Sequence, residues 1–342
     1  MSRWRIDRER VVSFLGGTRQ NRVVLLVAQA GYGKSIALRQ YLQRETQPYA
    51  FFRVEPETAT LIGFLRGLTE SLERFVPGAH LSLTMAHERA MQSRTPFVEL
   101  ANWLGEHLRD VNLRIVIDDL HNATSEAIPD FLSRATTSTP ESIKWIIAAR
   151  PKATFSPAPW LARGEIDWPI DETILQFTSD ELRDLARLCK REPSADQLDK
   201  ILELTEGWPS AAALGLICYD ELDRAVDRAS SSELYEALAQ ALFERYDGTV
   251  QELLLQTSVY DSLDVDVLEA DERLSLFLRI FEQDGIYIDE LNEGSYRYDG
   301  VFRSYLLRIL GERGAEFEKQ AYERAGPACE KAGRWSQALV LY

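Results

Sequence analysis

Short apolar runs alternate with amphipathic stretches through the first half of the chain. Each run is almost continuous in β-branched, aliphatic and aromatic residues, the pattern of strands covered on both faces of a parallel sheet. Helical spacing of apolar residues predicts helices over Ser35–Arg44 and Leu61–Phe75, and most of residues 80–110 is predicted to be helical as well. The alternation predicts an α/β fold, a parallel sheet with flanking helices. The predicted strands are Arg22–Ala28, Tyr49–Val54, Leu113–Ile117, Ile143–Ala149 and Thr173–Phe177.

Short helices replace this alternation after about residue 178. Thr178 stands three residues before Glu181 at the start of an amphipathic stretch, the signature of a capping box at a helix N-terminus. Further helices are predicted over Asp196–Leu204 and Pro209–Tyr219. A small helical domain is therefore expected to follow the sheet.

Residues 231–310 combine helical segments with a stretch typical of a β-hairpin. Two strand-like runs, the first of which follows Gly285, flank the turn Asn292-Glu293-Gly294. Helices followed by a hairpin predict a winged-helix domain.

The end of the sequence predicts two helices, Ala315–Lys331 and Trp335–Tyr342, separated at Gly333. The second is too short to be stable alone, so the chain is expected to be cut from a longer protein. The predicted domains are residues 1–177, 178–230, 231–312 and 313–342.

Composition limits the class of protein. Hydrophobic residues make up 45% and charged residues 27%, ordinary values for a soluble globular protein. The longest apolar runs, such as Val23–Ala28, are far too short to cross a bilayer, and no signal peptide is recognisable. The three cysteines are widely spaced, which argues against a disulfide framework or a zinc site. We expect a cytoplasmic protein with no membrane segment.

Charge is divided unevenly along the chain. Residues 1–165 carry 21 Lys and Arg against 17 Asp and Glu, whereas the remaining residues carry 18 against 37. A module that binds nucleic acid needs a basic surface, which the acidic second half does not favour. This chain alone is therefore a poor candidate for DNA binding.

The strongest chemical signal is the segment AQAGYGKS at residues 28–35, which follows an apolar strand and opens a helix. Its glycines allow successive N–H groups to point at phosphate oxygens, and the helix N-terminus favours an anion. Lys34 supplies a cation for the β- and γ-phosphates, and the Ser35 hydroxyl can ligate Mg²⁺. Ala28 stands where the G-x-x-x-x-G-K-[ST] motif has its first glycine. The candidate nucleotide-binding residues of this segment are Ala30, Gly31, Tyr32, Gly33, Lys34, Ser35 and Ile36.

A second signal is the strand that ends in Asp118 and Asp119. Open α/β sheets bind ligands at the carboxyl ends of their strands. Asp118 would hold Mg²⁺, usually through water, and Asp119 would orient or deprotonate the attacking water. Alone, such a pair is more often a solvated turn, but the phosphate loop favours the catalytic interpretation.

Three further residues have both a functional and an ordinary interpretation. Arg150, at the end of another predicted strand, can reach a γ-phosphate or can be an exposed arginine. Pro209, in Gly207-Trp208-Pro209, can lie against adenine or can simply start a helix at position N1. His121 is close to Asp119 in sequence, and a surface histidine is the favoured interpretation. Motifs of zinc proteases, serine hydrolases and dinucleotide-binding enzymes are absent from the sequence.

Together these residues resemble the STAND class of signalling ATPases, and within it the group typified by the maltose-regulon activator MalT. The resemblance covers nearly the whole chain, and the alanine at position 28 is itself typical of the group. The segments that carry it are AQAGYGKS, IVIDDLH, AARP, LQFTSDEL at 175–182, TEGWPSAAALGL at 205–216 and YDGVFRSYLLRIL at 298–310.

The resemblance implies a nucleotide-binding domain, a small helical domain, a winged-helix domain and a superhelical, TPR-like arm, with ATP or ADP and Mg²⁺ as ligands. In relatives, ADP locks a closed monomer, an inducer on the distal arm promotes exchange for ATP and self-association, and hydrolysis resets the switch. DNA binding is implied only for an output domain that this sequence lacks. The stretch Trp4–Arg10 resembles the segment that caps the adenine, with Arg8 as its candidate contact.

One position departs from the family. Relatives commonly carry a histidine at the position of Asp299, where it contacts the ADP phosphates, whereas an aspartate would repel them. Either Asp299 points elsewhere, or the ADP-bound state is weakened, or a nearby cation such as Arg297 or Arg303 substitutes.

Three functions are compatible with these residues. The leading hypothesis is a regulatory ATPase, slow in hydrolysis, that controls self-association and, through it, transcription. The alternatives are a non-regulatory P-loop ATPase that does remodelling or transfer work, and a scaffold that holds nucleotide without hydrolysing it. Asp118 and Asp119 argue against the scaffold, and no acceptor pocket is recognisable for a transfer enzyme.

Overall fold

Four of the predicted strands form one parallel sheet in the computed structural model, which describes residues 5–55, 58–151, 156–219, 231–284, 287–292 and 294–342. They are β1 (Val23–Val27), β2 (Tyr49–Arg53), β3 (Leu113–Asp118) and β4 (Ile143–Ala149), in the order β1-β4-β3-β2. Every residue of β3 is buried, and so is every residue of β4 except Lys144. The apolar runs therefore reflect strands covered on both faces.

The chain divides into two units. Residues 8–29 and 33–175 form one, called here the sheet unit, and residues 5–7, 30–32 and 176 onward form the other, called the helical unit. The helices of the sheet unit bury their apolar sides around Phe64, Phe131 and Trp145. They are α1 (Glu9–Gly17), α2 (Lys34–Arg44), α3 (Leu61–Leu72), α4 (Ala79–Met91), α5 (Pro96–His107), α6 (Ala127–Ser138), α7 (Ala158–Ala162) and α8 (Glu172–Leu175).

The predicted fifth strand, Thr173–Phe177, is wrong. Residues 172–175 form the short helix α8 instead, because the Asp171 carboxylate accepts hydrogen bonds from the backbone N–H and the hydroxyl of Thr173, at 3.0 and 2.5 Å. Such a local side-chain bond turns the backbone out of the extended conformation. Pairing with β1 occurs earlier, as a single parallel bridge between Leu26 and Ile170.

The helical unit begins with the predicted capping box. The Thr178 hydroxyl accepts from the N–H of Glu181 at 3.3 Å, and the Glu181 carboxylate accepts from the N–H of Thr178 at 3.0 Å. This confirms the N-terminus of the first helix. The helices are Ser179–Leu188, Ala195–Thr205, Pro209–Ile217, Ser231–Glu244, Gly248–Thr257, Val265–Ala270, Leu274–Asp284, Gly300–Glu312, Ala315–Lys331 and Trp335–Leu341.

A small antiparallel sheet lies in the helical unit. The predicted hairpin is confirmed by β6 (Ile288–Asn292) and β7 (Ser295–Tyr298), while Gly285, Ile286 and Glu293 lie outside the described residues. A third strand that the sequence did not reveal, β5 (Leu263–Asp264), pairs with the other edge of β7. The winged-helix assignment and the four-domain division remain predictions.

The two terminal helices were predicted correctly and pack on the rest of the helical unit. Arg324 donates to the backbone oxygen of Asp271 at 2.8 Å and forms an ion pair with its carboxylate, and Gln337 donates to the backbone oxygen of Ser262 at 3.0 Å. The terminal helices are therefore held by polar contacts as well as by the core.

The close packing of α5 on α6 can be tested at Gly105. A methyl group there would overlap the backbone oxygen of Ser138, so Gly105→Ala should lower the free energy of unfolding by about 1–3 kcal/mol. Gly16→Ala is the control, because Gly16 lies in α1 with open space around it, and alanine should there stabilise by up to about 1 kcal/mol. Urea denaturation measures both, and equal effects would contradict the packing argument.

Candidate nucleotide site

Charged residues of the sheet unit gather at one edge of the sheet. Because the strands are parallel, their carboxyl ends meet there. β2 ends at Arg53 and β3 at Asp118, while β4 is followed directly by Arg150 and β1 leads through a loop into α2 at Lys34. The strand order thus brings together Lys34, Asp118 and Arg150 as predicted, and adds an arginine that was not predicted.

The loop between β1 and α2 has the backbone form that phosphate binding requires. Gly31 and Gly33 have φ angles of +77° and +73°, a region that favours glycine. Gly33 is the N-cap of α2, so no side chain caps that helix N-terminus. The N–H groups at such a terminus are suited to an anion.

Lys34 is buried and lies over its own loop. Its ammonium donates to the backbone oxygens of Ala28 and Gln29, at 2.6 and 2.8 Å. Burial lowers the pKa of Lys34 to about 8; the Asp119 charge opposes this shift and the Arg150 charge adds to it. A bound phosphate would compete with the two carbonyl oxygens and favour the charged ammonium.

Asp118 has the properties of a metal ligand. Its side chain is completely buried, and Oδ1 accepts from the N–H of Asp119 at 3.0 Å, whereas Oδ2 has no hydrogen-bond partner among the described residues. Burial and the neighbouring Asp119 charge raise the pKa of Asp118, while Arg53, the Ser35 hydroxyl and Arg39 oppose the rise. A buried carboxylate oxygen next to a hydroxyl suits Mg²⁺.

The remaining ligands of such an ion would come from nucleotide and water. In the part of the chain that the structure describes, no group of three or more His, Cys, Asp and Glu side chains can hold a metal. Mg²⁺ commonly binds through one or two protein oxygens together with phosphates. Ser35 and Asp118 therefore fit the ion that the sequence predicted.

Asp119 lies in a backbone conformation that few non-glycine residues adopt. Its φ of +56° and ψ of 34° place it in the left-handed region, at the start of the short 3₁₀ turn Leu120–Asn122. The interpretation of His121 as a surface residue is wrong, because its side chain is only 12% exposed and Nδ1 lies 4.0 Å from Oδ1 of Asp119.

Two residues that sequence reasoning missed complete the charged edge. Arg53 lies 3.8 Å from Asp118 and 3.6 Å from Asp119, and the Glu172 carboxylate accepts from the N–H of Gln29 at 2.8 Å. The position of Arg53 at the end of the apolar run of β2 is visible in the sequence. Its proximity to Asp118 and Asp119 is not, because it depends on β2 lying next to β3 in the sheet. Glu172 directly precedes the predicted strand Thr173–Phe177, which does not form.

Arg8 reaches the same loop. Its side chain is 2% exposed, Nη2 donates to the backbone oxygen of Leu175 at 2.8 Å, and a Cβ placed on Gly33 would lie 3.6 Å from Nη1. This position agrees with the expected proximity of Arg8 to nucleotide, although its role stays a prediction. Trp4, in the same predicted adenine-capping stretch, lies outside the described residues.

The middle of the loop belongs to the helical unit, where the residues around Pro209 hold it. Trp208 Nε1 donates to the backbone oxygen of Ala30 at 3.0 Å, and the Trp208 ring stacks on Tyr32. The N–H and the hydroxyl of Ser210 both contact the backbone oxygen of Gly31, at 3.1 and 3.0 Å.

Pro209 has the helix-initiating position that the sequence indicated. It is the first residue of the helix Pro209–Ile217, and Gly207, with a φ of +68°, follows the end of the preceding helix. Its contact with adenine remains a prediction. Within Gly207-Trp208-Pro209 the sequence assigned a role to Pro209 alone, whereas the hydrogen bonds that reach the loop come from Trp208 and Ser210.

Asp299 points toward Ser210 and its own helix. Its carboxylate accepts from Ser210 Oγ at 2.7 Å, from Tyr235 Oη at 3.2 Å, and from the N–H groups of Val301 and Phe302 at 3.0 and 3.2 Å. Burial raises the pKa of Asp299. The two arginines considered as substitutes, Arg297 and Arg303, both pair with Asp261.

Known proteins with similar sequences include a protein kinase and transcriptional regulators. Residues 18–154 match the AAA domain family. The chain is 24% identical to the serine/threonine-protein kinase PknK of Mycobacterium tuberculosis, over 98% of this chain and 31% of that protein. It is 23% identical to the HTH-type transcriptional regulator MalT of Vibrio cholerae, over 98% and 38%, and 22% identical to MalT of Klebsiella pneumoniae, over 88% and 35%.

The fold is also shared with a solved structure. A STAND protein with a tetratricopeptide repeat sensor from Pyrococcus horikoshii superposes with a TM-score of 0.65 at 15% identity, covering 98% of this chain and 49% of that one. This chain spans about a third of the length of the curated relatives that it matches. None of the described helices is long and apolar enough to span a membrane.

The parallel sheet, the glycine-containing loop and the AAA match over residues 18–154 show a P-loop NTPase fold. The chain is similar in sequence to MalT regulators and shares its fold with the STAND protein, in agreement with the family resemblance found in the sequence.

Nucleotide affinity should decrease as the pH rises above about 8. Lys34 has a pKa of about 8 before binding, and phosphate raises it, so binding takes up a proton above pH 8. Affinity for a fluorescent ADP analogue should be constant below that value and fall by up to roughly tenfold per pH unit above it. Lys34→Arg keeps its charge throughout, so its affinity should stay flat. A flat wild-type profile up to about pH 9.5 would contradict the role of Lys34.

Proposed function

We propose that this chain is a nucleotide-dependent switch that binds ATP with Mg²⁺, hydrolyses it slowly and associates with itself in the ATP-bound state. It would be the regulatory core of a MalT-like transcriptional activator, with a cytoplasmic location. The proposal rests on one observation: the N-terminus of α2, which no side chain caps, lies with Lys34 and the buried Asp118 at one edge of the sheet.

Each site residue has a role in this proposal. Backbone N–H groups of residues 30–36 and the Lys34 ammonium bind the phosphates. Ser35 and Asp118 hold Mg²⁺, which would neutralise phosphate charge. Arg150 contacts the γ-phosphate, while Arg8 and Pro209 lie on the base side of the nucleotide. Adenine as the base is inferred from the resemblance alone.

Hydrolysis would depend on Asp119. A water held by its carboxylate attacks the γ-phosphorus, the bond to the β–γ bridging oxygen breaks, and that oxygen leaves with ADP. The proton of the water passes to a carboxylate oxygen of Asp119. Asp119 fits this role because it remains 12% exposed next to the buried Asp118.

The switch requires that the loop communicate with the rest of the helical unit. Ala30 and Gly31 are held through their carbonyl oxygens by Trp208 and Ser210, and Ser210 is in turn bonded to Asp299. Asp299 caps the helix Gly300–Glu312. We propose that a change in loop conformation alters these bonds and thereby the surface used for self-association.

Contacts with an inducer and with DNA are proposed to lie outside these 342 residues. The half of the chain after residue 165 carries 18 basic and 37 acidic side chains, which opposes binding to a phosphate backbone. The MalT relatives are named as HTH-type regulators, and this chain spans about a third of their length.

The central experiment measures bound nucleotide and mass together. Protein as purified should carry ADP on a monomer, shown by chromatography of the denatured sample and light scattering of the native one. Exchange to ATP with Mg²⁺ should increase the mass. Asp119→Asn should slow hydrolysis by at least about a hundredfold and keep the protein associated, whereas Lys34→Ala should lose nucleotide and stay monomeric.

Two results would favour other functions. Fast turnover without any change in mass would indicate a non-regulatory ATPase. Retention of ATP without hydrolysis, in wild type as in Asp119→Asn, would indicate a nucleotide-binding scaffold.

The bonds around Ser210 make a second prediction. Ser210→Ala removes the hydroxyl that contacts Gly31 and Asp299, so ADP release should accelerate by roughly tenfold, the value of one hydrogen bond of about 1–1.5 kcal/mol. Stopped-flow release of a fluorescent ADP measures it. Ser304→Ala is the control: this exposed hydroxyl donates to the backbone oxygen of Gly300 within its own helix, so the variant should release ADP at the wild-type rate. A lower melting temperature with unchanged release would limit Ser210 to a structural role.

A further inference from the structure

Arg53 is placed beside both acidic residues of the site by the strand register. It is the last residue of β2 and pairs through its backbone with Asp118 of β3. Register partners on neighbouring parallel strands point to the same face of the sheet. The proximity of Arg53 to the carboxylates therefore follows from the fold itself.

The guanidinium compensates charge without making hydrogen bonds to the carboxylates. Arg53 Nη2 is 3.8 Å from Asp118 Oδ2, and Nε is 3.6 Å from Asp119 Oδ2, both longer than a normal hydrogen bond. Among the described residues, neither Arg53 Nε nor Asp118 Oδ2 has a hydrogen-bond partner, although both are buried. The Arg53 side chain is only 14% exposed, so water screens these charges poorly.

A divalent cation would satisfy the same oxygen better. A Mg²⁺ ion that coordinates a carboxylate oxygen directly lies about 2.0–2.1 Å from it, and even one held through a water brings a double charge to Asp118 where the guanidinium brings a single one. Its double charge would also repel Arg53, as well as Lys34 and Arg39, which face the same carboxylate. Metal and arginine therefore stabilise the same charge and disfavour each other.

We propose that Arg53 is a built-in counter-charge for Asp118 and Asp119 that competes with Mg²⁺ and so sets the metal affinity of the site. It acts as a positioning residue, through the two carboxylates. The inference rests on the proposed function, because it takes Asp118 as the metal ligand. Beyond that function, the Arg53 guanidinium would supply positive charge next to Asp118 when no Mg²⁺ is bound.

The test measures the metal alone, without nucleotide. Mn²⁺ replaces Mg²⁺ because its free concentration can be read by electron paramagnetic resonance. Arg53→Gln should bind Mn²⁺ roughly tenfold more tightly than wild type, since one neighbouring positive charge is removed. In EDTA its melting temperature should fall by a few degrees and recover with Mn²⁺, whereas wild type should respond little.

Three control variants locate the effect. Arg53→Lys keeps the charge and should bind Mn²⁺ within about threefold of wild type. Arg66→Gln removes an exposed arginine of α3 in the same unit and should change nothing. Combining Arg53→Gln with Asp118→Asn should abolish the gain, because the ligand is lost.

Each outcome decides the proposal. Unchanged or weaker Mn²⁺ binding by Arg53→Gln would overturn it. If Arg53→Gln is unfolded in EDTA, recovery by Mn²⁺ in this variant alone supports the competition, and failure to recover refutes it. The Mn²⁺ titration contains no nucleotide, so it tests the role of Arg53 alone. A separate measurement in which the wild-type protein fails to bind ATP would refute the proposed function.

Discussion

The carboxylate of Asp118, at the end of a strand buried along its whole length, is the charge around which the site is arranged. A buried carboxylate is costly unless neighbouring groups compensate it. Here the compensation comes from different elements: Arg53 on β2, Ser35 and Arg39 on α2. The parallel sheet makes this possible, because its strands end at one edge and α2 begins there. The proposed metal binding and water activation, together with the Arg53 contact, all depend on that one buried charge.

The phosphate loop is the second constraint, because each unit holds its own part of the loop by hydrogen bonds to carbonyl oxygens. Lys34 belongs to the sheet unit and donates to the first carbonyl oxygens of the loop, whereas Gly31 belongs to the helical unit and accepts from Ser210. Every carbonyl oxygen held in this way fixes the direction of its peptide group. Asp299 contributes to this arrangement through its hydrogen bond with Ser210.

Sequence patterns predicted the elements whose structure depends on nearby residues. The strands β1 to β4, the loop before Lys34 and the capping box at Thr178 depend on periodicity or on bonds between residues a few positions apart. The strand predicted at Thr173–Phe177 failed for a related reason, because the bonds from Thr173 to Asp171 override a pattern that suits a strand. Local hydrogen bonds were decisive in both the correct and the wrong predictions.

The sequence by itself determined the class of fold, the phosphate loop and the two acidic residues that end a buried strand, because these follow from short-range order. Only the tertiary structure decided which side chains meet: Arg53 with Asp118, and Ser210 with both Gly31 and Asp299. These pairs are far apart in the chain, and their meeting depends on strand order and on helix packing. No pattern of a few residues encodes such contacts, since they arise only when the whole sheet and the helices around it have formed.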